Sequence, residues 1–84
     1  MHALLTLNES GRDYAGGVLF AMIGDSIRVH CWVSAEALER IESGSAWRQD
    51  PMVVFDRHRL RIEQLASQKF EAGEQSPIVM TFDL

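Results

Sequence analysis

The chain has 84 residues, 46% of them hydrophobic and 24% charged, which fits one soluble domain with a thin core. Twelve acidic against eight basic side chains give a net charge of −4, which argues against nucleic acid as a partner because phosphate binding needs an electropositive surface. The lone Cys31 cannot form an internal disulfide and suits a reducing cytoplasm, and no stretch approaches the roughly 18 apolar residues of a membrane span.

Residues 1–7, MHALLTL, read as a short strand or a docked arm. They lack the basic start and long apolar run of a signal peptide. The stretch NESGRDYAGG at 8–17 is a polar, glycine-rich loop, so 1–17 is an N-terminal arm and loop. VLFAMI at 18–23 is a short apolar run between Gly17 and Gly24, which favours a strand. A tight hairpin through Ile23, Gly24, Asp25 and Ser26 is expected, with glycine supplying the positive φ. The following strand alternates: Ile27, Val29, Cys31 and Val33 share one face, and Arg28, His30 and Trp32 the other. The hairpin therefore spans 18–33.

Ser34 is placed to cap a short helix over 34–43, with Glu36 in its first turn and Leu38 and Ile41 on its apolar face. Gly44 stops it, and Trp47 in the connecting loop is expected to pack back onto the domain. The run DPMVVFDRHRLRIEQLASQKFEAG at 50–73 carries start and stop signals: Asp50 caps, Pro51 takes the first helical position and Gly73 closes. One helix over 51–72 is expected. Its stripe holds Met52, Phe55, Ile62, Leu65, Ala66 and Phe70, interrupted by His58 and Arg59. After a polar turn, IVMTFDL supplies a last strand over 78–83. The order β-β-α-α-β predicts an α+β two-layer domain, with a small three-stranded, largely antiparallel sheet and two helices on one face.

Three pieces occur in order: V-H-C-W-V-S-A-E-A-L at 29–38, F-D-R-H-R-L-R-I-E at 55–63, and the terminal apolar strand. With them the chain resembles a small bacterial family of uncharacterised proteins, domain of unknown function 1488, from about residue 5 to residue 84. The resemblance implies a compact two-layer α/β domain in a bacterial cytoplasm. It implies no activity and no ligand residues.

His58 and Arg59 are the first candidates for chemistry. They could form a small anion site, with Arg59 as the fork and His58 as acid or base. The structural alternative is a clamp, with the Arg59 stem along Phe55 and its guanidinium on Glu63 one turn on, or on loop carbonyls. Cys31 alternates with Ile27, Val29 and Val33, so it is expected to behave as a small buried hydrophobe rather than a nucleophile. The histidines have no metal-ligand spacing, and no cofactor is implied. Arg57 and Arg61 share a solvated helix face that excludes Arg59.

The outward sheet face is the remaining feature. The strand 18–23 is apolar on both sides, so one set of side chains must face away from the helices. Phe20, His30 and Trp32 are the candidate interface residues. The face either forms an interface, most simply with a second copy, or is covered by Leu4, Leu5 and Leu7. The reading is a non-enzymatic interaction or accessory domain that self-associates or binds a protein through its sheet. The alternative is a ligand sensor or enzyme built on His58 and Arg59.

Overall fold

The computed structural model describes residues 4–7, 9–42 and 50–84. The elements in chain order are β1 (Leu5–Thr6), β2 (Arg12–Tyr14), β3 (Gly17–Gly24), β4 (Ile27–Val33), α1 (Ala35–Ile41), α2 (Pro51–Arg57), α3 (Arg59–Glu71), β5 (Ile78–Val79) and a 3-10 turn at Thr81–Asp83. The class is α+β, but among the described residues the sheet has five strands rather than three, and there are three α-helices rather than two. The expected helix stop at Gly44, the position of Trp47 and His2 all lie outside the described residues.

β3 and β4 form the centre, paired antiparallel from Val18↔Val33 to Gly24↔Ile27. Their turn differs from expectation. Asp25 and Ser26 carry the positive φ values, 54° and 63°, as both central residues of a type I′ turn must. Gly24 is needed for another reason: a Cβ there would stand 2.7 Å from Leu4 Cδ2 and 3.1 Å from Phe70 Cε2.

β1 and β2 both run along the free side of β3. Thr6 pairs with Met22 and Arg12 with Leu19, so six steps on the edge cross only three on β3. The chain between them therefore leaves the edge of β3. Residues 4–7 extend the sheet and do not lie over its outer face. Leu4 is buried, whereas Leu5 is exposed.

On the opposite side, β5 pairs in parallel with β4, through Trp32 N–H to Pro77 O and Ser34 N–H to Val79 O, each 3.0 Å. The strand expected over 78–83 stops at Val79. Asp83 ends it: its Oδ2 accepts from Met80 N–H at 2.8 Å and its Oδ1 meets Lys69 Nζ at 2.8 Å, which winds 81–83 into the 3-10 turn.

The helices follow their punctuation. Ser34 Oγ accepts from Ala37 N–H at 3.0 Å, and Asp50 Oδ1 from Met52 N–H at 2.9 Å. After α3, Gly73 takes φ 109°. Its N–H reaches Phe70 O and the Glu74 N–H reaches Lys69 O, each 3.0 Å, the paired bonds of a Schellman closure.

The helix expected over 51–72 is broken at His58, which takes φ −112° and ψ 20° between α2 and α3. His58 N–H still bonds Val54 O, and His58 O still accepts from Ile62 N–H, each at 3.1 Å. The apolar stripe therefore stays in phase, with Phe55, Ile62 and Ala66 fully buried. Glu42, at the end of α1, holds both residues at the break: its Oε1 lies 2.6 Å from His58 Nε2 and its Oε2 takes Arg57.

Val18, Phe20, Met22, Val29, Cys31 and Val33 from the inner sheet face meet Ala37, Leu38, Val54, Phe55, Ile62 and Ala66 from the helices. Phe20 is corrected here. It is 4% exposed, its ring 5.0 Å from that of Phe55, so it belongs to the core and cannot serve as a surface contact.

Candidate functional site

Residues paired directly across strands share a face of the sheet. The outer face can therefore be read row by row. One row is Leu5, Ile23 and Arg28; the next is Ala21 and His30; the third is Arg12, Leu19, Trp32 and Ile78. Among these, Leu5 is 65% and Ile78 46% exposed. The three helices supply the other layer of the core, so no described element lies over these rows.

Trp32 is fixed flat on this face. A Cβ at Gly17 would stand 2.9 Å from its Cε2 and Cζ2, and its Nε1 donates to Tyr14 O at 3.0 Å. Val33 O, 2.0 Å from the same point, and the indole together leave no room for a side chain at Gly17. Tyr14, Leu19, His30, Trp32, Pro77 and Ile78 line a shallow groove of about 300 Å³ beside it. The rim is charged: Arg28 forks onto Glu9 at 2.7 and 2.6 Å, an exposed pair worth at most about 1 kcal/mol. Of the expected interface residues, His30 and Trp32 lie here and Phe20 does not.

His58, Arg59 and Glu63 do not converge on one site. His58 turns to Glu42 on α1. Arg59 turns the other way. Its Nε meets Glu63 Oε2 at 2.9 Å, Nη2 donates to Leu7 O at 3.0 Å, and its guanidinium carbon lies 5.3 Å from the centre of the Phe55 ring. Glu63, only 4% exposed, also accepts from Thr6 Oγ1 at 2.7 Å. Ser67, one further turn along, accepts from Leu4 N–H at 2.9 Å. Arg59, Glu63 and Ser67 form a polar stripe at i, i+4 spacing that grips residues 4–7. The stripe's spacing could have been found in the sequence; Thr6, Leu7 O and Glu42 as its partners and neighbours could not.

Cys31 is not equipped as a nucleophile. Burial first, and then the negative charge of Glu63, push its pKa up to about 12. Its Sγ lies 3.8 Å from Val29 O, on the face opposite His30. Glu42 is held below the usual carboxylate range, first by its hydrogen bond to His58 and then by Arg57. Among the described residues no three His, Cys, Asp or Glu side chains are grouped to hold a metal ion, and no helix is long and apolar enough to cross a membrane.

These features define a two-layer α+β domain with a mixed sheet, helices on one face and an apolar surface on the other. A family model described as a protein of unknown function, DUF1488, matches residues 7–80, and the chain belongs to that family. No curated protein and no solved structure matches the chain.

Proposed function

We propose that this is a non-enzymatic interaction domain that associates with a second copy of itself through the outer sheet face. One observation carries the reading: Leu19, Ile23, Trp32 and Ile78 are neighbouring apolar residues on a face that no described helix covers, Ile78 exposed, the other three half-buried and Ala21 buried among them. Contiguous exposed apolar surface on a small domain marks an interaction site.

Charge permits a second copy as the occupant. On the helices and the turn that follows them, exposed Glu36, Glu39, Asp56, Glu71 and Glu74 outnumber exposed Arg40, Arg57 and Arg61. The outer face carries Arg12, Arg28 with Glu9, and His30. Two copies meeting sheet to sheet thus keep their excess negative charge apart.

Area sets the strength. The strands have two, three, eight, seven and two residues, each covering about 3.3 by 4.8 Å, so the face measures roughly 350 Å². Two such faces bury on the order of 700 Å², below the roughly 1,000 Å² of a stable specific interface. The expected dimer is therefore weak and seen only at high concentration.

Leu19→Glu and Trp32→Asp place a charge in this face without touching the core. In sedimentation velocity both variants should run as monomers where the parent associates, with circular dichroism unchanged. Association equal to the parent's in both variants would remove the sheet face as the interface.

A further inference from the structure

Residues 4–7 are held on two sides. On one, Leu5 and Thr6 pair with Ile23 and Met22 of β3. On the other, Ser67, Glu63 and Arg59 of α3 bond, in that order, Leu4 N–H, the Thr6 hydroxyl and Leu7 O. Leu4 fills a notch whose floor is Gly24 and whose wall is Phe70. Together these make a cleft that reads an extended segment: a sheet edge for its main chain, an apolar notch, and a buried carboxylate for the hydroxyl of a threonine.

The segment in the cleft is lightly attached. Its ladder has two pairs, Leu5 and Thr6 are exposed, and residues 9–11 ahead of β2 lie in no strand. A segment with so few buried contacts opens well below the free energy of global unfolding. The cleft, by contrast, is costly when empty, because Glu63 and Arg59 lose the Thr6 and Leu7 groups that complete their hydrogen bonds.

We infer that the cleft between β3 and α3 is a strand-binding site that takes residues 4–7 of a second copy of this chain, by exchange for its own. A second copy carries the one segment whose fit to the cleft is already realised in these contacts. Exchange of an identical element is a low-cost route to association. The resident segment acts at an effective concentration of millimolar order, so exchange emerges at high protein concentration or when the resident segment is disabled. This site is on the sheet edge and is independent of the outer face.

Complementation tests it. Leu4→Asp disables the segment and leaves the cleft. Gly24→Val blocks the cleft, where a Cβ meets Leu4, and leaves the segment. Both are made with Trp32→Asp, so that the sheet face contributes nothing. By native mass spectrometry each variant alone should be monomeric and the mixture should give a one-to-one heterodimer; a monomeric mixture of folded chains overturns the inference. If Gly24→Val does not fold, the Leu4→Asp chain is titrated with a fluorescent peptide of residues 3–9. A saturable anisotropy rise, weakened about tenfold or more by Glu63→Gln, supports the site. No saturation up to about 1 mM, the effective concentration of the resident segment, overturns it.

Discussion

Arg59 and Glu63 stand one turn apart on α3, 2.9 Å between Nε and Oε2, and each reaches past the other to the segment that runs alongside. Glu63 is 4% exposed and the Arg59 side chain 22%. Removing one member leaves the other charge buried without its partner. Glu63→Ala should therefore cost about 3 kcal/mol, near the low end for a broken buried pair because Arg59 keeps some contact with water. Replacing both together, as Arg59→Met with Glu63→Leu, should cost far less. Urea denaturation midpoints of the two variants check this; equal losses would contradict it.

The turn between β3 and β4 offers the opposite sign. Ser26 is exposed and holds φ 63°, a region that costs a non-glycine residue about 1 kcal/mol. Ser26→Gly should raise stability by up to about 1 kcal/mol, offset in part by the entropy that glycine adds to the unfolded chain. A lower melting temperature would mean that the serine side chain contributes more than its backbone costs.

Much of this fold is legible in local chemistry. The alternation from Ile27 to Val33, the Ser34 and Asp50 caps and the Gly73 closure each depend on neighbours in sequence, and each can be read there. What could not be read depends on contacts across the chain. Period-2 patterning marks two apolar sides of 18–23 but not which one the helices cover, so Phe20 and Leu19 could not be told apart. The break at His58 leaves the apolar stripe in phase, and the side chain there is held by Glu42, sixteen positions earlier. The end of β5 depends on Asp83 being held by Lys69. At the candidate site, Trp32 and His30 were visible from alternation. The fit of Trp32 over Gly17 was not, because nothing local links those positions.

Cys31 should be inert in the folded chain. With its pKa raised to about 12 from 9.0, its thiolate fraction at pH 8 falls about 1,000-fold. An aromatic disulfide reagent should react only as fast as the chain opens, and at full speed in denaturant. A raised thiol pKa also means that stability declines as pH climbs above 9.0, since the unfolded thiol ionises first. Rapid labelling of the native chain at pH 8 would contradict the burial of this residue.

Acid should destabilise the domain through two carboxylates. Glu42 is depressed first by His58 and then by Arg57. For Asp83, burial raises the pKa, but the Lys69 bond, the Met80 N–H and the Lys69 charge outweigh it and lower the value. A depressed carboxylate stabilises the fold above its unfolded pKa, and the contribution is lost as pH falls through the folded value, because the unfolded chain takes up protons first. The loss should begin near the ordinary values of 4.5 and 3.8 and continue below them. Thermal melts of Glu42→Gln with Asp83→Asn should show a shallower acid limb than the parent. An identical limb would assign acid sensitivity to other groups.

The central claim is that the outer sheet face joins two copies of the chain. Size-exclusion chromatography with light scattering, run on the parent over a wide concentration series, tests it most directly. The mass should climb from that of one chain, 9.5 kDa, toward twice that value as concentration rises. A mass fixed at one chain throughout would contradict self-association through this face.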